Sequence, residues 1–261
     1  MLLSDALNMS GTVVIVTGGG KGVGGGITSR FLAAGADVVI CGRTEPETLP
    51  TGAGKPAVFI AADVRDIEQI DKVVAFTVER FGHLDILVNN AGGTPSADAA
   101  TASPRFSESI LKLHLLAPLH FAQRANAVMQ QQEPGGVIIN MASVSGIRPS
   151  PGTAAYGAAK AGLLNLTQTL AVEWAPKVRV NAVTAGMIRT AQAPLHYGDA
   201  AGVAAVAATV PLGRLGEPED VGDVCLFLAS TLAHYISGAS ILLHGGGERP
   251  AFLAAAKRTS G

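Results

Sequence analysis

Apolar residues gather in short runs that recur along the chain: 12–17 (Thr-Val-Val-Ile-Val-Thr), 37–41, 57–62, 84–88, 136–142, 177–183 and 240–243. The runs are β-branched and apolar on both faces, as strands of a sheet covered on both sides must be. Between them the period lengthens to that of a helix: after the glycines to about 34, over 67–81, over 106–131 with a bend before Pro118, over 158–175, and from Glu217-Pro218 to about 230. Strand and helix alternate throughout, which predicts an α/β fold with a doubly wound parallel sheet of about seven strands. One domain, 1–261, holds it all, with an arm at 1–10, an alanine-rich cover at 191–210 and a tail at 248–261.

Composition narrows the function. The chain is 48% hydrophobic and 15% charged, so much surface is buried, either in subunit contacts of a homo-oligomer (tetramer or dimer) or in alanine-rich helices. A net charge of −1 excludes the basic footprint of a nucleic-acid binder. The two cysteines, Cys41 and Cys225, lie far apart in apolar runs and read as core residues of a protein in a reducing cytoplasm. Residues 1–10 lack the features of a signal peptide, and no run reaches the roughly 18 apolar residues of a membrane span. No membrane or nucleic-acid partner is expected. The histidines show no metal-ligand spacing, so no catalytic metal is expected either.

Two stretches carry chemistry. The first strand runs into Gly18-Gly19-Gly20-Lys21-Gly22-Val23-Gly24-Gly25-Gly26, and a helix follows. Glycine lets a backbone turn closely around a pyrophosphate, whose charge suits the helix N-terminus. Gly25 and Gly26 fall in the first helical turn, where each costs up to about 1 kcal/mol against alanine, and they predict a mobile helix start. In the second stretch Ser143 ends a strand, and Tyr156 and Lys160 follow, four apart on one helix face. An ammonium one turn from a phenol favours the phenolate and moves it toward a working acid–base pKa.

Together these residues resemble the short-chain dehydrogenase/reductase family, its 3-oxoacyl reductase-like branch of roughly 250 residues, over about 10–247. Thr17-Gly18, Gly22 and Gly24 match its Thr-Gly-x-x-x-Gly-x-Gly turn, and Asn89-Asn90-Ala91-Gly92 its Asn-Asn-Ala-Gly element. The resemblance implies a Rossmann fold, a nicotinamide cofactor and hydride exchange with a carbonyl or secondary alcohol. It assigns Ser143, Tyr156 and Lys160 to catalysis. Cofactor contacts fall to Gly18, Gly20, Lys21, Gly22, Val23, Gly24, Arg43, Asp63, Val64, Asn90, Ala91, Gly92, Tyr156, Lys160, Gly186, Ile188 and Thr190, with Asp63 accepting from the adenine amine and Val64 packing on the ring. The bland alternative for Asp63 is a cap on the turn before the helix over 67–81, and both roles can coexist.

Departures from the pattern matter as much. Gly42 stands where an NAD-binding relative has an acidic residue, Arg43 follows, and Asp37 lies at the wrong end of that strand. Lys21 and Arg43 therefore favour NADP(H), with NAD(H) the alternative. His114 occupies the place of the family's relay asparagine and is a candidate to replace it, titrating near neutral pH. Ala185 replaces a proline, which predicts a looser turn. Leu195, Tyr197, Val203 and Val206 would line an apolar lid over a 3-oxoacyl thioester, a steroid-like ketone or another ketone. A catalytically impaired nucleotide-binding sensor or structural subunit is the competing function.

Overall fold

The computed structural model describes residues 3–93, 95–191, 193, 197–248 and 250–252. Its sheet consists of β1 (Val13–Thr17), β2 (Asp37–Gly42), β3 (Val58–Ala61), β4 (Ile86–Asn89), β5 (Gly136–Ser143), β6 (Val178–Ala185) and β7 (Ser240–Leu243). The order across the sheet is β3-β2-β1-β4-β5-β6-β7, every neighbouring pair parallel. Seven strands and the doubly wound sheet are as the apolar runs predict.

Alternate residues of the inner strands feed two cores. Ile15, Val39, Leu87 and Ile138 face one side, with Ile70 and Val73 of α3 (Ile67–Phe81), Phe121 and Ala125 of α5 (Ala117–Met129) and Leu170 of α6 (Ala154–Glu173). Val14, Val16, Val38 and Ile40 face the other, with Ile27 and Phe31 of α2 (Gly22–Ala33) and Val221, Cys225 and Leu228 of α8 (Pro218–Ala229). Cys41 and Cys225 are free, buried thiols, pushed up in pKa by burial, as core residues should be. The remaining helices are α1 (Leu3–Ala6), α4 (Pro104–Leu111) and α7 (Ala200–Thr209).

Chain order reverses between β1 and β4. In open parallel sheets the crevice at such a switch point, beyond the carboxyl ends of the strands, is where ligands bind.

The bend before Pro118 is a π-helical turn, Lys112–Leu116, joining α4 to α5, closed by the Ala117 amide on the Lys112 carbonyl. Pro118 has no N–H for the His114 carbonyl and its ring crowds it, so the helix widens. Two spans differ from the sequence expectation. The helix carrying Tyr156 begins at Ala154, directly after the Pro151-Gly152 turn, where the Gly157 amide donates to Thr153 O at 2.9 Å and the Thr153 hydroxyl turns back to Ser150. β6 continues through Ala185, in register with Ser143 on one side and Leu243 on the other. The turn expected to loosen there is instead an extension of the sheet.

Candidate active site

A cleft of about 490 Å³ opens over the ends of β1, β4, β5 and β6. Its walls bring together Gly18, Lys21, Gly22, Val23, Gly24, Asn90, Gly92, His114, Ser143, Tyr156, Lys160, Gly186, Ile188 and Thr190. Of the residues expected at the cofactor, Gly20, Arg43, Asp63, Val64 and Ala91 lie outside this wall.

The nucleotide end is built from backbone. Gly18 and Gly22 take positive φ of 65° and 54°, a region open to glycine. A Cβ at Gly24 would stand 2.2 Å from the Gly18 carbonyl oxygen, and one at Gly26 would meet Pro218 of α8 at 2.4 Å. These glycines serve close packing, whereas a Cβ at Gly25 would have no neighbour nearer than 3.7 Å. Lys21 caps α2 in extended conformation without a side-chain hydrogen bond, so the first-turn amides keep no side-chain acceptor. Asn90 Nδ2 donates to Thr17 O at 2.9 Å, and the Asn90 and Ala91 amides donate to Thr17 Oγ1 at 2.9 Å. That fixes the floor. A cradle with no room for side chains, ending on an uncapped helix, fits a dinucleotide's pyrophosphate.

The catalytic end is built from side chains. Gly146 and Gly157 let the turn after β5 press on α6: a Cβ at Gly146 would meet the Ala161 amide nitrogen at 2.8 Å, and one at Gly157 the Ser145 carbonyl oxygen at 2.9 Å. This approach puts Ser143 and Tyr156 in the wall of one cleft, near enough for Ser143 to oppose the rise of the Tyr156 pKa. Two hydroxyls in one wall can share one substrate oxygen. Ser143 Oγ is steadied by the Ser145 amide at 3.2 Å. Lys160 is buried, donates to Met141 O at 2.6 Å, and stands 5.7 Å from the centroid of the Tyr156 ring. Below the site a buried chain, Asn89 Nδ2 to Asn140 Oδ1 (2.9 Å) and Asn140 Nδ2 to Thr167 Oγ1 (3.0 Å), ties β4 and β5 to α6.

One electrostatic expectation is corrected. Burial raises the Tyr156 phenol above its ordinary value, opposed by Ser143. Lys160 does not pull it down; burial holds that ammonium itself low, at about 8, and it points to a carbonyl beneath the ring.

His114 is 1% exposed and meets Tyr156 edge-on, ring centroids 4.8 Å apart. Gly92 makes the space, since a Cβ there would lie 2.8 Å from His114 Cε1. Nε2 bonds Gly93 O at 3.1 Å, which requires Nε2 to carry the proton and leaves Nδ1 an acceptor. Nδ1 is buried without a protein partner. Burial, then the Lys160 charge, lower its pKa to about 4 against the opposing Gly93 bond. The residue is neutral at pH 7, not titrating there.

The adenosine residues are arranged otherwise than expected. Both Asp63 oxygens are engaged by the Arg65 guanidinium, at 2.6–3.2 Å, and Arg65 first, with Arg43 among the later contributors, lowers that carboxyl to about 2. Asp63 Oδ1 also accepts from the Arg65 amide at 3.0 Å, so Asp63 caps the turn before α3, as the bland alternative has it, while the cap of α3 itself is Asp66, accepting from the Glu68 amide at 3.0 Å. Val64 is buried in the core beside Val39 and Ile70. Arg43 is exposed just past β2, and Asp37, at the far end of that strand, pairs with Lys55 at 3.1 Å. Of the lid residues, Tyr197 lines the cleft, Val203 and Val206 pack against Ala207, Val210 and Leu215, and Leu195 lies outside the described residues. Among the described residues no group of histidine, cysteine, aspartate and glutamate is placed to hold a metal, and no helix is long and apolar enough to cross a membrane.

A switch-point crevice with a glycine cradle at one end and a hydroxyl pair over a buried lysine at the other defines a nicotinamide-dependent oxidoreductase. The comparisons agree. The family described as enoyl-(acyl carrier protein) reductase matches residues 2–248. The 3-oxoacyl-(acyl-carrier-protein) reductase of Thermotoga maritima is 35% identical over 247 residues, 92% of this chain and 99% of the relative. The 2-dehydro-3-deoxy-D-gluconate 5-dehydrogenase of Escherichia coli is 34% identical over 94% of this chain and 98% of its own. The 3beta-hydroxysteroid dehydrogenase 1 of Eggerthella lenta is 34% identical over 92% and 94%. A solved structure described as a provisional short-chain alcohol dehydrogenase from Sinorhizobium meliloti 1021 superposes with a TM-score of 0.84 at 35% identity, covering 92% of this chain and 98% of that one. The chain belongs to the short-chain dehydrogenase/reductase family, enzymes that act on CH–OH donors with nicotinamide cofactors.

Proposed function

We propose that this protein uses NADP(H) to interconvert a ketone and a secondary alcohol on a largely apolar substrate. The observation that carries the reading is that Ser143, Tyr156 and Lys160 line one cleft with the glycine cradle. When bound, the cofactor supplies or accepts the hydride. In the reducing direction a carbonyl carbon gains the hydride and its oxygen gains a proton from the Tyr156 hydroxyl. Ser143 Oγ–H orients that oxygen, and Lys160, fixed on Met141 O beneath the ring, stands on the path by which the phenolate left behind regains a proton. His114 stands in for the relay asparagine as a neutral group whose Nδ1 accepts from a water on the path between Lys160 and solvent.

The preference for NADP(H) rests on Arg43 and Lys21, both exposed near the nucleotide end, and on Gly42 closing β2 without a carboxylate. Arg43→Ala should weaken NADPH about tenfold and NADH little, the share of one charge-assisted contact. The substrate class stays broad, since relatives carry names of 3-oxoacyl, sugar-acid and steroid enzymes. Exposed Leu111, Leu116, Val172 and Leu242 support a homo-oligomer, to be read by light scattering. The test of function is a panel of cyclic, aliphatic and 3-oxoacyl ketones with NADPH or NADH absorbance followed. Turnover that Tyr156→Phe removes supports the reading, and binding of cofactor with no turnover of any ketone refutes it.

A further inference from the structure

At the substrate end three segments distant in sequence meet. Five residues after Ser143, the Arg148 amide closes the turn on Val144 O at 3.1 Å, and its guanidinium donates to Pro149 O at 3.0 Å and to Glu248 Oε1. Glu248 lies five residues past the end of β7. Tyr197, in the cleft wall, is raised in pKa by burial and by Glu248 and opposed by Arg148, so it neighbours both. Hydride chemistry uses neither member of the pair. Both side chains are 39% exposed, where ion pairs add little net stability. A guanidinium is a planar fork that takes a carboxylate by two parallel bonds. Held near Tyr197 of the cleft wall by a carboxylate that is cheap to displace, it is poised to exchange that carboxylate for another.

We propose that Arg148 selects an anionic substrate, an oxo acid or the matching hydroxy acid, whose carboxylate replaces Glu248 on the guanidinium while its carbonyl lies between Ser143 and Tyr156. The inference rests on the oxidoreductase reading and narrows its substrate class to an apolar body with one acidic end. Glu248 holds the arginine in place until substrate arrives and competes with it.

The test is kcat/KM, at saturating NADPH or NADH, for 3-oxobutanoate, 4-oxopentanoate and 5-oxohexanoate, each against its methyl ester. Acid should exceed ester by about tenfold or more at one chain length at least, the share of a charge-assisted bidentate contact. Arg148→Gln should collapse that ratio, Arg148→Lys should keep part of it, and Glu248→Gln should raise it by removing the competitor. If Arg148→Gln and Glu248→Gln move the ratio in the same direction, or leave it alone, the pair merely straps the tail and the proposal is overturned. Esters reduced with no acid preferred also overturn it, while the oxidoreductase reading stands. Turnover of neither acids, esters nor the neutral ketone panel removes that reading, and this inference with it.

Discussion

The two ends of the cleft are built on different principles. At the nucleotide end the functional groups are backbone, and each key position is set by what is absent: no Cβ fits at Gly24 or Gly26, and no side chain caps α2. At the substrate end the groups are side chains from segments far apart, Ser143, Tyr156, Lys160, His114 and, at the rim, Arg148, Tyr197 and Glu248. A backbone cradle tolerates almost no substitution and recognises what all dinucleotides share. A side-chain rim can change one residue at a time, which is how one fold serves many substrates.

The contrast predicts a graded response to substitution. Gly24→Ala should be the most damaging at the nucleotide end: a methyl driven against the Gly18 carbonyl costs about 3 kcal/mol and moves the cradle, so thermal stability and cofactor affinity should fall together. An unchanged dissociation constant would mean that the cradle does not hold the cofactor.

At the other end His114 should make stability acid-sensitive. Its folded pKa, about 4, lies below the unfolded value of 6.5, so the unfolded chain binds its proton first and stability falls as pH drops from 6.5 toward 4. The loss between pH 7 and 5 is about 2 kcal/mol from this residue. The nearest ionisable groups, Lys160 and Tyr156, titrate above this window and add nothing within it. Denaturant melts of His114→Asn at both pH values should show that much less acid destabilisation than the parent. Equal slopes would place the charge-burial penalty elsewhere.

Gly25→Ala is the smallest effect and the control for the first. With nothing near its Cβ, it should leave stability unchanged or raise it by up to about 1 kcal/mol through helix propensity. A loss as large as that of Gly24→Ala would show that the helix start needs flexibility, not space.

Most of the nucleotide end was legible in the sequence, because glycine spacing after an apolar strand is a local signal. The sheet was legible for the same reason: runs such as 12–17 and 136–142 are buried on both faces. What local patterns missed was set by contacts across the fold. The Tyr156 helix begins at Ala154 because the turn holding two prolines is closed on itself by Thr153 and Ser150 before the helix starts. Nothing in the spacing shows that Arg65, two residues on, closes on both oxygens of Asp63. His114 was found as a mismatch, but its loss of neutral-range titration comes from burial beneath Tyr156 and from Lys160, which no spacing reveals. The partner of Arg148 is invisible to local pattern, since Glu248 lies a hundred residues away.

The central claim is that Tyr156, beside Ser143 in the cleft wall and over a buried lysine, gives the proton that completes a hydride transfer. It is tested most directly by single-turnover reduction of a ketone with NADPH deuterated at the transferring position, in the parent and in Tyr156→Phe, both saturated with cofactor. The account predicts deuterium on the new carbinol carbon in the parent and a rate 10²- to 10⁴-fold lower in the variant, roughly the share of one positioned acid. Equal rates in the two proteins, or an alcohol without the label, would contradict it.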